Sequence, residues 1–234
     1  MRVQYRFFLL FCMMVFLFAP SALAKNTVAA DLQKTYEGIT AMQASFNQVL
    51  VHKESGSREQ RKGVLYFKKP LLVRWETKSP APELLLVTKN VIWNAFPDEE
   101  IAYKYALSLA QDSRSIIRVI TGQASITQDF TIENKKQEGG LHYLILYPKK
   151  PTQSMVEAHL WVDPKTKLIK KLRIYDFYGN QNEMSFGNIN PKATPSDAMF
   201  SYKPPKGYVV EDRTKDTNAA PSTMRGGVKN KKKK

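Results

Sequence analysis

Cysteine is nearly missing from this chain: among 234 residues only Cys12 carries a thiol. It lies inside an apolar run with Phe11 before it, where a lipidated cysteine needs a small neighbour and a place nearer the cleavage site. The mature protein is therefore expected to be neither lipidated nor disulfide-bonded, and thiolate nucleophiles, thiolate metal sites and dithiol redox chemistry drop out together. A core of this length is stable without staples. Also missing are a GxSxG elbow, a phosphate-cradling glycine loop and an HExxH helix, so the common signatures of hydrolases, nucleotide enzymes and zinc proteases find no match. The three histidines, His52, His142 and His159, fall in three separate predicted strands, which leaves no metal-ligand spacing. No catalytic residue, metal or cofactor is expected.

Long hydrophobic runs are equally scarce, with a single example at Phe7–Phe18. Arg2 and Arg6 precede it and "APSALA" follows, ending at Ala24, which is the pattern of a secretory signal peptide rather than of a membrane anchor. Residues 1–24 are assigned to that signal, which places the mature protein outside the cytoplasm. Taking 24 residues from 234 leaves 210, enough for one large all-β domain.

Acidic charge is outweighed throughout. The formal net charge is +15, and loss of Arg2 and Arg6 leaves +13. From Asp212 onward eight basic residues stand against two acidic ones, a contribution of +6, so the body of the domain carries +7. The segment 213–234 ends in four lysines, is poor in apolar residues, and is expected to be a disordered basic tail, either a solvated extension or an arm attracted to anionic lipid. Nucleic acid is a poor partner for an exported protein, and no nucleic-acid role is assigned.

What the mature chain has in abundance is strand signal. Val28, Leu32, Tyr36 and Ile39 first recur at spacings of four, four and three, the stripe of an N-terminal helix that ends near Gly38. Runs rich in β-branched and aromatic residues then follow one another: "ASFNQVLV" from Ala44, the hairpin "GVLYFKKPLLVRWETKSP" from Gly63 to Pro80, Leu84–Val87, and Val91–Phe96. In the second arm of the hairpin Arg74 and Glu76 alternate with Val73 and Trp75, giving a polar and an apolar face. In the first arm Val64 and Tyr66 compete with Leu65 and Phe67 for the inner side. A helical interruption follows, with Ile116, Ile117 and Ile120 on one face, a start at Asp112 or Ser113 and a stop at Gly122. Strands then resume through "QDFTIENKK", "LHYLILYPK" and "MVEAHLWVDPKTKLIKKLRIYDFYGNQNEMSFGNI", the last broken by turns at "DPKTK" and "DFYGN".

The fold class that results is mainly β: one curved antiparallel sheet forming an incomplete barrel, covered by an N-terminal helix and a central helical segment, over residues 25–212. Large apolar side chains such as Phe67, Trp75, Trp93, Phe96, Tyr105, Tyr143, Trp161 and Tyr175 exceed what catalysis needs. A curved sheet with two spare helices can enclose a ligand cavity. The acidic run Asp98, Glu99 and Glu100 follows Pro97 in a loop with no partner base, and reads as solvated. The residues by themselves rank a carrier of something apolar above an enzyme.

In order along the chain, "MQASFNQ", "GVLYFKKP", "RWE", "LLLV" with its following Trp93, the apolar helix with "ITG", "YLILYPK", "LIKKLRIYDFYGN" and "FSYKPPKGYVV" resemble the periplasmic outer-membrane lipoprotein carrier family (LolA-type), from about Asp31 to Asp212. The resemblance implies a half-barrel with a helical lid whose interior takes the acyl chains of lipoproteins. It further implies partners, namely acylated lipoproteins, an inner-membrane ABC-type exporter that releases them and an outer-membrane lipoprotein receptor, with the carrier itself a monomer. On that footing Leu65, Phe67, Val73, Trp75, Trp93, Ile116, Ile117 and Ile120 are the expected lining of the cavity. Lys69, at the position where relatives have a basic residue before a proline, is the expected lid latch. Lysine there, where many relatives have arginine, keeps the charge and loses the planar fork of donors. Val73 stands where relatives often carry an aromatic residue, and Thr88, Lys89 and Asn90 replace an acidic-glycine turn. A carrier or sensor of another lipid is the alternative within the binding class; a lipid or peptide hydrolase using Glu99, Glu100 and His142 is the alternative outside it.

Overall fold

The structure is a computed structural model that describes residues 27–111, 116–135 and 137–216. The expected signal peptide, the helix start at Asp112 or Ser113 and the tail beyond Asp216 lie outside the described residues.

The chain opens with helix α1 (Thr27–Gly38) and continues through strands β1 (Ala41–Val51), β2 (Arg58–Lys68), β3 (Leu72–Ser79), β4 (Glu83–Val87), β5 (Val91–Phe96) and β6 (Ile101–Ala106). Helical stretches follow, described over α2 (Ser108–Gln111), α3 (Ile116–Ile120) and α4 (Ile126–Asp129). Strands β7 (Phe130–Asn134), β8 (His142–Pro148), β9 (Glu157–Val162), β10 (Ile169–Tyr175) and β11 (Gln181–Asn190) lead to a 3-10 turn at Asp197–Phe200 and a last strand β12 (Val209–Arg213).

All strands join one 12-stranded sheet in the order β12-β6-β5-β4-β3-β2-β1-β11-β10-β9-β8-β7. Every neighbouring pair is antiparallel except β12 with β6, which is parallel. The open curved sheet and its helical cover match the expected class. The C-terminal strand is the addition: "VVEDR" is too polar to announce itself, yet it carries the chain along β6 through Arg213, a residue the sequence places in the tail.

Alternation along the strands decides which side chains face in. Burial along β1 follows a period of two, with Met42, Ala44, Phe46, Gln48 and Leu50 buried. The undecided arm of the hairpin resolves in the same way: Leu65 and Phe67 of β2 are wholly buried, whereas Val64 and Tyr66 are half-buried on the other side. Curvature has a local source at Gly63, where the β2–β3 register shifts between Lys62 and Gly63. Phe46 lies directly opposite Gly63, and a Cβ on that glycine would stand 1.8 Å from the Glu76 carbonyl oxygen and 2.7 Å from the Phe46 ring. Only a residue without a side chain allows the strands to meet so closely there.

The helices cover the inner face. Ala29, Leu32 and Tyr36 of α1, Ile117 and Val119 of α3 and Ile126 of α4 belong to one buried cluster with the inner residues of β1 to β5 and β8 to β11. The stripe read from the sequence over Val28, Leu32, Tyr36 and Ile39 is this contact, with Val28 at its half-buried margin.

Candidate functional site: an apolar inner face and its tied helix

Two cross-strand pairs build the centre of the inner face. Leu65 is opposite Trp75 and Phe67 opposite Val73 across β2–β3, and Trp75 and Val73 are in turn opposite Leu85 and Val87 on β4. Phe46 from β1 meets the edge of Trp75, ring centroids 5.3 Å apart at 67°. Four of the expected lining residues, Leu65, Phe67, Val73 and Trp75, thus lie side by side, and Ile117 packs in the same cluster. Ile116 and Ile120 fall within α3, and their side chains are outside what is described.

Trp93 does not join them. Its neighbour Ile92 takes the inner position, fully buried, and Trp93 faces the opposite side of the sheet. There it packs with Tyr202 at 5.6 Å, beside Leu72, Leu86 and Phe200. The physical reason is that β4 and β5 are apolar on both faces, because the segment around Asp197–Phe200 folds back over the outer one. Between them lies an open concavity of about 360 Å³ bounded by Trp93, Phe200, Tyr202 and the Thr88–Val91 turn. Arg74, expected in water with Glu76, is half-buried and donates to the Met199 carbonyl at 3.0 Å under the same segment. Tyr143, Trp161 and Tyr175 also leave the inner face: Tyr143 stacks on Trp161 at 4.8 Å, with the Lys171 ammonium 3.8 Å from the Trp161 ring.

Residues that the sequence does not single out complete the site. Leu85, Val87, Ile92 and Tyr105 face inward with the expected set. Beyond Trp75, towards the β1–β2 turn, the inner face turns polar: Gln48 donates to Asn182 at 2.9 Å, and Arg61 pairs with Glu83 at 3.0 Å, Glu83 also accepting from Asn94 at 2.8 Å. Arg61 and Glu83 are both buried, and such charges persist in a core only when paired and hydrogen-bonded. A strict period of two hides this row, since Arg61 and Glu83 look like surface residues of β strands.

Lys69 lies at the other end. Its ammonium donates to the carbonyls of Glu37 at 2.6 Å and Tyr36 at 3.3 Å, and its own amide donates to the Thr40 carbonyl at 2.8 Å. The last carbonyls of a helix have no intrahelical partner and carry the negative end of its dipole, so a cation there satisfies both. Tyr36 extends the tie. Its buried hydroxyl accepts from the Ile169 amide at 3.1 Å, and burial, opposed more weakly by that hydrogen bond, pushes its pKa up to about 12. Gly122, after α3, has φ +66°, and a Cβ on it would come within 2.1 Å of the Tyr36 Cβ. A void of about 10 Å³ adjoins Tyr36 between Met42, Ala44, Ile169, Phe186 and Ile189.

The acidic and histidine residues weighed for catalysis are not assembled. Asp98, Glu99 and Glu100 occupy the exposed β5–β6 turn, and His142 begins β8 at the opposite end of the sheet. His52 accepts from the Ser55 amide in the β1–β2 turn, and His159 lies between Tyr143 and Glu157 on the outer face. Among the described residues no group of three or more histidine, cysteine, aspartate or glutamate side chains could hold a metal ion. Nor is any described helix long and apolar enough to cross a membrane.

Comparison with known proteins matches residues 37–203 to the family model described as "Outer membrane lipoprotein carrier protein LolA". An outer-membrane lipoprotein carrier protein of Methylococcus capsulatus is 23% identical over 192 residues, covering 81% of this chain and 90% of its own. One from Vibrio cholerae serotype O1 is 25% identical over 205 residues, covering 88% of this chain and 96% of its own. Among solved structures, an uncharacterized conserved protein from Thermus thermophilus superposes with a TM-score of 0.52 at 13% identity, over 79% of this chain and 99% of that one, and shares its fold.

Proposed function

Because the chain belongs to the LolA family of outer membrane lipoprotein carrier proteins, we propose that it carries lipoproteins across an aqueous compartment by sheltering their acyl chains against the inner face of the sheet. Leu65, Phe67, Val73, Trp75 and Ile117 contribute the apolar surface, joined by Ile116 and Ile120. Lys69 ties α1 over it. Cargo is accepted from an inner-membrane ABC-type exporter and passed to an outer-membrane receptor, with the carrier acting as a soluble monomer. Carriage needs no bond-making step, and the family is one of carriers rather than enzymes.

The observation that supports this most is the join between the apolar face and its cover. The sheet buries a continuous inner surface beneath α1 and the helical segment after β6, rather than beneath a second sheet. Exposing an acyl chain to water costs about 0.8 kcal/mol for each CH₂, which an apolar inner face under a helical cover avoids. A cover of that kind lets the interior exchange its own side-chain contacts for a lipid chain.

The experiment is release from spheroplasts. Purified protein, added to spheroplasts in detergent-free medium, is expected to draw an acylated lipoprotein into a soluble complex, and the absence of such a complex overturns the proposal. Mass spectrometry of protein purified without detergent separates the second reading, since a glycolipid or phospholipid bound in place of acylated protein identifies a carrier of another lipid.

A further inference from the structure

Antiparallel pairing lines up five connections along the end of the sheet remote from Lys69: β5–β6, β3–β4, β1–β2, β10–β11 and β8–β9, in that order. The β10–β11 turn stands among them with Phe177 and Tyr178 at its tip. These two are 70% and 65% exposed, more than any other large apolar side chain described, with ring centroids 5.5 Å apart at 88°.

The turn that presents them is held firmly. Buried Asp176 accepts from the amides of Tyr178 at 2.9 Å and Asn180 at 2.8 Å, and from the Asn180 side chain at 2.8 Å. Asn180 accepts from the Lys53 amide at 2.9 Å, and the Phe177 amide donates to Gln153 of the β8–β9 connection, also at 2.9 Å. The backbone therefore fixes two rings that meet each other and otherwise stand mostly in water.

The charge nearest them is mostly positive. Lys53 and Arg58 flank the β1–β2 turn, Lys78 is next to the end of β3, and Lys149 and Lys150 lie in the β8–β9 connection, all exposed. On the four of these connections other than β5–β6 the exposed acid is Glu54. The acidic Asp98–Glu100 turn lies beyond β3–β4, on the far side from the aromatic tip. Aromatic side chains at the level of lipid headgroups, ringed by cations, are the composition that binds an anionic bilayer surface.

We propose that the β10–β11 turn is a membrane-docking tip, with Phe177 and Tyr178 entering the interfacial region of an anionic bilayer while the surrounding lysines and Arg58 meet lipid phosphates. The assignment goes beyond carriage of lipoproteins: it places the protein against a membrane with no receptor and no cargo.

The test is sedimentation of the full chain with vesicles, free of lipoprotein, made from phosphatidylcholine alone or with about one-third phosphatidylglycerol. Wild type is expected to bind the anionic vesicles preferentially, and less so as salt is raised. The double variant Phe177→Ser/Tyr178→Ser removes about the transfer of one large apolar side chain or more, and is expected to bind about tenfold more weakly at unchanged charge. Both rings are exposed, so folding is retained, and the Lys-rich C-terminus is common to both proteins. Lys149→Gln/Lys150→Gln is expected to weaken binding and flatten its salt dependence. Wild type without preference for anionic vesicles, or an aromatic variant that binds like wild type, overturns the inference. So does an aromatic variant that leaves vesicle binding intact and slows transfer to an outer-membrane receptor, which identifies a protein-docking tip. The vesicle outcomes do not depend on whether the chain carries lipoproteins.

Discussion

The Lys69 ammonium donates to the Glu37 carbonyl at 2.6 Å, joining the β2–β3 turn to the last turn of α1 across 32 positions of sequence. With the Tyr36–Ile169 hydrogen bond, this side chain ties down the helix whose apolar stripe covers the inner face. Lys69→Met keeps the aliphatic stem and removes the charge, and is expected to cost about 1 kcal/mol of stability, the size of one charge-assisted hydrogen bond near a surface. Amide hydrogen exchange at α1 should accelerate more than exchange in β1 or β2. Lys69→Arg should restore protection, because five donors in a fixed fork reach the same carbonyls.

Gly122→Ala and Gly63→Ala should both destabilise, for different reasons. At Gly122 the backbone has φ +66° and the new methyl group meets Tyr36; at Gly63 the new methyl group meets the backbone of Glu76. Each is expected to cost about 1–3 kcal/mol or more in urea unfolding. Gly139→Ala, also at positive φ but with open space around it, should cost less.

Trp75 and Trp93 separate the two faces of the sheet. Trp75→Ala opens a cavity in the main cluster and should lower stability by about 3–5 kcal/mol, with loss of acyl-chain binding. Trp93→Ala acts on the half-buried outer cluster, should cost less, and should leave binding of an acylated peptide near the wild-type level. Equal loss of binding in both variants would contradict the assignment of the ligand to the inner face.

Alkaline pH isolates Tyr36. Its folded pKa of about 12 exceeds the ordinary 10, so the stabilisation is complete below pH 10 and is lost as pH rises towards 12. In that window the unfolded chain releases a proton that the folded chain retains, and stability should fall by about 3 kcal/mol. Tyr36→Phe removes this part of the fall. Other tyrosines, Tyr103, Tyr143 and Tyr202, are also raised by burial and contribute equally in both proteins. The difference between the two urea-unfolding profiles at pH 9 and pH 12 is therefore the measurement.

Much of this was legible in the residues. The Val28, Leu32 and Tyr36 stripe, the inward positions of Val73 and Trp75, and the turns at Asp163 and Asp176 each depend on neighbours a few positions away. Asp163, for example, accepts from the amides of Lys165 and Thr166 within its own turn, which holds its carboxyl below the usual range. Trp93 was not legible, because β5 carries an apolar residue on either face and nothing local tells which one meets the helices. Nor was the buried Arg61–Glu83 pair, whose partners lie 22 positions apart.

By itself the sequence determined that this chain folds as a β-rich body with an amphipathic helix in front, since period and turn chemistry are local properties of the backbone. Only the tertiary structure decided what covers each face: α1 and the helical segment after β6 within, the Asp197–Phe200 segment without, and water around Phe177 and Tyr178. Covering is a property of segments far apart in the chain, and hydrophobic burial favours any apolar face equally until the fold brings a partner to it.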